Sequence, residues 1–456
     1  MIVLGWFIVF LLGLSILNAV AYKTGLLEKI GFAMPLGMGI NSMLMFIMDL
    51  MHIKINDPHI LLVAASCLII GFSIYIFLRN KEAFSISAFI KNNSFEFPGI
   101  NLAWMLIMGY IAYLTYQTVS KSLFWPPFQY DTIYGYDFLA KAIAHEGTLH
   151  NSIFSADNPI YSLRSLYPPL FPLNLGFAYI LGQQSSQIVL VFYYISICIS
   201  FYGLLKKCTT HLGAAFFTLL LMMTPEFAAF SSLSSPNPPC ALYAAIGMLC
   251  LYIYYKEDER SYLFVGALFI FLALWTRTEI IVFAITGAAL LLRKALDKKK
   301  YTDLFIFLGA CAAVVSLWQW YIRVILNIIP PQEILTQITW NSEKFSQMFS
   351  QIGHVTFSTL YYGLTVYLFL LIVGMNIPHI IRKKENTLLQ VLIFVTWGLY
   401  VLVYYQLDTD YTDTSMGGWI MSGYKRGLFY FFPLMLFYCA NNRIVNGLFK
   451  KQLSLG

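Results

Sequence analysis

Charge is what this 456-residue chain has least of: Asp, Glu, Lys and Arg together make up 11% of it, against 59% hydrophobic residues. A soluble domain carries roughly 25% charged residues, so a water-facing globular surface over this length is excluded. Short segments of alternating polarity, the signature of a transmembrane β-barrel, are also missing. The seven cysteines, at 67, 198, 208, 240, 250, 311 and 439, are odd in number and sit mostly inside apolar runs. They offer neither a disulfide framework nor metal-ligand spacing. The seven histidines are scattered, without the His-x-x-x-His pair that would propose zinc. No Walker loop, dinucleotide fingerprint or nucleophile elbow is present, which removes nucleotide-driven chemistry from the expectations. Residues 1–22 lack the basic start and small-residue cleavage site of a removable signal and read as a first membrane span.

What fills the chain instead is apolar runs of about 20 residues, the length a hydrocarbon core of about 30 Å demands of a helix. Backbone amides in lipid must be bonded internally, so these runs are helices. The expected fold is an all-α polytopic integral membrane protein of 12–14 transmembrane helices. Spans fall near 2–22, 30–51, 59–79, 101–120, 169–182, 187–205, 212–230, 238–255, 261–276, 279–293, 303–326, 357–380, 388–405 and 427–440. Three regions follow: extra N-terminal helices over 1–100, a central module over 101–300 with an external loop at 121–170, and C-terminal helices over 301–456 with external loops at 327–356 and 406–426. Basic clusters at Lys23 and Lys29, Lys206 and Lys207, Arg293 to Lys300, and Arg382 to Lys384 should face the cytoplasm. The formal charge of +7 then reflects residues facing an anionic leaflet rather than nucleic acid, which is not an expected partner. Residues 169–182 resist this alternation: either they dip in and return, or the break near Gly182 is misplaced.

Residues 121–176 are a wet, motif-dense loop within this apolar chain, too rich in Tyr, Phe, Ile and Leu for a disordered linker. Asp131, in Tyr130-Asp131-Thr132-Ile133-Tyr134, lies where the chain leaves the fourth span. A carboxylate there can take the proton of an attacking hydroxyl as a general base. The stretch from Tyr134 to His145 reads as helical, with Asp137 and Lys141 spaced for an i,i+4 ion pair. Downstream, Tyr167-Pro168-Pro169-Leu170 opens the next helix, its prolines fixing the entry angle.

An acid at a membrane exit, then Lys141-Ala142, then Tyr167-Pro168-Pro169-Leu170 resembles the GT-C glycosyltransferases, in particular the branch of protein O-mannosyltransferases and the lipid A aminoarabinose transferase. The resemblance covers roughly residues 105–300 and, more loosely, 420–435. It implies that Asp131 is the catalytic base and that the donor is a sugar on a polyprenyl phosphate, used on the outer face of a membrane. For a bacterial relative this is the inner membrane, with the site facing the periplasm. Thr276-Arg277-Thr278-Glu279 resembles the family's break between two spans, and an Arg at a membrane rim suits a donor phosphate. Tyr424-Lys425-Arg426-Gly427 resembles the basic head of the family's last core helix, making Lys425 and Arg426 further phosphate candidates. Tyr130, Tyr134, Tyr136, Lys141, Tyr167 and Glu279 are the expected substrate-binding residues, and Trp125 is a further aromatic able to stack on sugar.

The chain departs from the family in two ways. Three spans precede the one leading to the loop, where the family usually has one. Asn237 stands where relatives often carry a second Asp, leaving Asp137, Asp157 or Glu226 as candidates for that role. No cofactor is firmly expected; Asp408, Asp410 and Asp413 form an acidic run that is a weak candidate for a divalent metal. The expected partners are membrane lipid, the lipid-linked donor, and an acceptor protein, lipid or glycan. The competing expectations are a transporter or flippase of lipid-linked sugars, which would place charges deep in its helices, and a polymerase or ligase of the O-antigen type.

Overall fold

A computed structural model describes residues 1–21, 23–79, 101–126, 132–154, 166–328, 340–383, 386–407 and 420–453. Every secondary-structure element among them is helical. Eight helices are long and apolar enough to cross a membrane: Ile2–Val20, Leu26–Leu50, Pro58–Leu78, Leu102–Phe124, Ile188–Leu205, Asn237–Glu257, Thr302–Ile325 and Thr387–Tyr405. A ninth is reached if Lys425–Ala440 and Arg443–Phe449, bent by 68°, are one span. The expected 12–14 also counts shorter apolar helices. Leu170–Ile180, His211–Met222 and Arg260–Leu274 have 11, 12 and 15 residues, short of the hydrocarbon thickness at about 1.5 Å per residue, yet Arg260–Leu274 still leads from Glu259 at one end of the bundle to Arg277 at the other. Ile281–Lys298 has the length but carries Arg293, Lys294, Asp297 and Lys298 in its last turns.

Leu26–Leu50, Ile188–Leu205 and Asn237–Glu257 are mostly buried and form the centre, while Pro58–Leu78 and Leu102–Phe124 are mostly exposed and face lipid. The first two helices cross at small residues: a Cβ on Gly13 would overlap the Ala33 carbonyl, and one on Gly37 the Val9 carbonyl. Close backbone approach of this kind is what small residues allow between helices in lipid. Leu26–Leu50 in turn packs along Ile188–Leu205, so the N-terminal helices are built into the bundle rather than appended to it.

The bundle has two chemically different ends. At one, Lys23 pairs with Glu259 (3.4 Å), Lys207 with Glu257 (2.9 Å) and Lys294 with Asp258 (2.8 Å), so basic clusters far apart in sequence share a face. At the other end lie the aromatic loops. Residues 169–182 belong wholly to this second end. Leu170 N donates to the Trp275 carbonyl at 3.3 Å. After a turn at Gly182 with φ +92°, the chain returns to where Tyr179 and Ser186 both donate to Asp137, at 2.6 and 2.5 Å. The segment dips in and returns, and Ile188–Leu205 alone makes the crossing.

Asp49, at the end of the second helix, is buried and holds this end in place. Its carboxylate accepts from Thr148 Oγ1 at 2.7 Å, Leu149 N at 3.0 Å and Tyr321 Oη at 3.2 Å. Ile55 N adds a bond to the Gly147 carbonyl at 2.9 Å. Asp49→Ala strands a backbone donor and two hydroxyls, so about 2–4 kcal/mol of destabilisation is expected. Faster amide exchange confined to 147–151 and its neighbours checks this; unchanged exchange there would contradict it.

Candidate functional site

The helix Arg260–Leu274 ends because Thr276 turns its hydroxyl back onto the Leu272 carbonyl (2.8 Å), after which Arg277 adopts an extended backbone at φ −152°. One 3₁₀ turn, Thr278–Ile280, then leads into Ile281–Lys298. This break within an otherwise apolar stretch delivers a guanidinium to the aromatic end. Arg277 Nη1 donates to Asn237 Oδ1 at 3.1 Å, and the guanidinium carbon lies 4.9 Å from the centre of the Tyr167 ring. Tyr430 Oη donates to the same Asn237 oxygen at 3.1 Å, while Asn237 Nδ2 donates to Ser235 Oγ at 2.7 Å. Trp318 Nε1 donates to the Leu166 carbonyl at 2.8 Å, fixing the entry to Tyr167-Pro168-Pro169. Asn237 is thus the hub that joins the break at Arg277, the Tyr-Pro-Pro helix start and the last core helix.

Glu279 forms an ion pair with Arg277 Nε, and the two side chains are only 8% and 14% exposed. The contact is ionic in character, since neither Nε nor Glu279 Oε1 has an aligned hydrogen-bond partner. Burial opposes the Arg277 charge, but facing Glu279, Tyr430, Tyr167 and Tyr136 it is held well above its ordinary pKa. A guanidinium has five N–H donors. One meets Asn237 and Nε faces Glu279, which leaves the others unbonded among the described residues.

A second cation lies on a turn packed against the Asn237 segment. Lys425 Nζ lies 2.6 Å from Glu226 Oε1 and 4.4 Å from the Tyr361 ring centre, and Tyr362 Oη donates to the Lys425 carbonyl at 2.7 Å. The turn Lys425–Gly427 packs on Asn237–Ala241, which brings this pair to the Asn237 hub. Arg426 lies with its guanidinium carbon 5.8 Å from the Phe230 ring centre. Gly427 is required here because a Cβ would overlap the Tyr400 hydroxyl. Three of the four π-helical turns among the described residues, Thr132–Tyr136, Leu242–Ile246 and Ile420–Tyr424, lead into or out of these segments. Such turns recur at functional sites because they re-aim side chains at a cost in regularity.

Not every expected residue joins the cluster. The Asp137 carboxylate is buried and fully engaged by Tyr179, Ser186 and Lys141, the last at 2.9 Å. Asp137 and Lys141 are thus engaged with each other, and Asp137 with the dipping helix. Tyr136 is buried edge-on against Phe171, with ring centres 5.3 Å apart, and lies within the electrostatic reach of Arg277. Tyr134 and Trp125 are exposed and able to stack on a sugar. Glu226 is paired with Lys425. Thr132 anchors the start of its π turn by donating to the Ser234 carbonyl at 3.2 Å, next to the Asn237 segment. Tyr130, Asp131, Asp157, Asp408, Asp410 and Asp413 lie outside the described residues.

The hub residues themselves escaped sequence reasoning. Tyr430 sits in the run Leu428 to Leu434, which reads as plain apolar core, and Asn237 registers only as a missing acid. No family model matches this chain, and neither a curated protein nor a solved structure matches it.

Proposed function

We propose that the protein is a membrane glycosyltransferase that moves a sugar from a polyprenyl-phosphate donor to an acceptor hydroxyl or amine at the aromatic end of the bundle, taken to be the outer face. The observation that supports this reading best is the meeting of Arg277, Asn237, Tyr430 and Tyr167 with the Lys425–Glu226 pair. Contacts spanning up to 199 residues of sequence bring two nearly buried cations to aromatic-lined segments that meet at Asn237. A buried Arg with spare donors suits a phosphate oxygen, and Lys425 adds a second point of charge.

In this reading Arg277 and Lys425, with Arg426, hold the donor phosphate, and exposed aromatics such as Tyr134 stack on the sugar. Asp131 removes the acceptor proton, and the acceptor atom forms its bond to the anomeric carbon as the bond to the phosphate oxygen breaks. Polyprenyl phosphate leaves as an anion and needs little acid help. Attack opposite the leaving group inverts the anomeric centre. The GT-C fold, the inner-membrane location and the identity of the acceptor class as protein, lipid or glycan belong to the same proposal.

Radiolabelled sugar transfer in membranes tests it. Wild-type protein should form a covalent product, and Asp131→Asn at equal expression should lose at least about 100-fold in rate, the usual worth of a general base. Unchanged turnover removes Asp131 from the chemistry. Movement of the labelled lipid across sealed vesicles with no covalent product would make the protein a transporter.

A further inference from the structure

At the end opposite Arg277, the helix Asn237–Glu257 stops at Asp258 in a left-handed conformation, φ +57°. Glu259 then caps the next helix by accepting from Ser261 N. Asp258 gathers two lysines from Ile281–Lys298: Lys294 at 2.8 Å, and Lys298 on its other oxygen. Their hydrogen bonds hold the Asp258 carboxyl down at about 2. Asp303 accepts from the Tyr254 hydroxyl at 2.5 Å.

Two more cations line the same small cavity, Arg260 and Lys300, and neither forms an ion pair among the described residues. The cavity has a volume of about 90 Å³, room for about three waters and of the order of a phosphate group. With four cations against Asp258 and Asp303, its walls carry a net positive charge. Asp258 and Arg260 also border a larger groove of about 760 Å³, whose far walls are the apolar Val20, Ile76 and Phe264 with Tyr75. Tyr75 and Phe264 are exposed on the surface of the helices that faces lipid. A basic socket opening into an apolar groove matches a molecule with an anionic head and a hydrocarbon tail, and basic pockets between helices are where anionic headgroups bind.

We propose that this end carries a binding site for an anionic phospholipid, its phosphodiester on Arg260 and Lys300 and an acyl chain along Val20, Ile76 and Phe264. The site is independent of glycosyl transfer, lying at the other end of the bundle. The neighbouring pairs Lys23–Glu259 and Lys207–Glu257 are already neutral, which leaves Arg260 and Lys300 as the cavity's cations without an ion pair among the described residues.

The test uses the full chain in lipid nanodiscs, with dioleoyl phosphatidylglycerol and dioleoyl phosphatidylcholine as probes. Lipid retention is read by native mass spectrometry and folding by thermal unfolding. The wild-type protein should prefer phosphatidylglycerol about tenfold, and R260Q/K300Q should lose that preference while melting normally in phosphatidylcholine. Lys256→Gln, an exposed cation outside the cavity, should keep it. Each single variant should lose part of the preference, so the outcome does not depend on the double variant folding. No preference in the wild type, or an equal preference in R260Q/K300Q, overturns the proposal. So does an equal thermal gain from inorganic phosphate in phosphatidylcholine discs, which would mark a free-anion site.

Discussion

Arg277→Ala is expected to abolish donor binding and to destabilise the protein at once. Glu279, 8% exposed, would be left as a buried charge without its partner, a loss of about 3–5 kcal/mol. Asn237 would keep only the Tyr430 hydroxyl of its two Oδ1 donors. The two effects separate in a second variant. R277A/E279A removes both charges, so most of the stability should return while donor binding stays lost. Thermal unfolding in detergent and retention of labelled polyprenyl-phosphate sugar read the two arms. If R277A/E279A bound donor as the wild type does, Arg277 would be a structural ion pair and nothing more.

The second large effect concerns Lys425. Its pair with Glu226 is nearly as buried as the first, at 13% and 14% exposed, so either single truncation should destabilise by a similar few kcal/mol. Exchanging the partners, as K425E/E226K, restores opposite charges across the same contact and should recover much of the stability. It moves the cation onto Pro225–Ala229 and away from the ring of Tyr361. Donor affinity is therefore expected to remain at least about tenfold reduced in the exchanged variant, because a phosphate is held by a cation in a particular place. Full recovery of donor affinity along with stability would show that Lys425 only neutralises Glu226.

Much of the architecture could be read from the chain because lipid imposes a simple rule on long apolar runs. Ile2–Val20, Leu26–Leu50 and Ile188–Leu205 lie close to where their runs place them. The count of crossings is less legible for a physical reason: a short helix buried in protein, such as Leu170–Ile180, is as apolar as one that spans. Periodicity cannot tell lipid from protein surroundings. Arg277 and Tyr167 stood out because a charge or a proline pair interrupts an apolar run, and the same holds for Lys425. Their partners did not stand out. Tyr430 meets Asn237 across 193 positions and Tyr321 meets Asp49 across 272, pairings that no local pattern encodes. The bonds of Asp137 to Tyr179 and Ser186, across 42 and 49 positions, are likewise encoded by no local pattern.

The role of the Arg277 and Lys425 cluster is tested most directly by locating the donor phosphate itself. A cryo-electron microscopy structure of the full chain with a non-cleavable polyprenyl-phosphonate sugar would do so. The phosphonate should lie within hydrogen-bonding distance of the Arg277 guanidinium, with Lys425 or Arg426 on its other side and the sugar toward Tyr134. A phosphonate at the Arg260 and Lys300 end, or one touching none of these cations, would contradict the account.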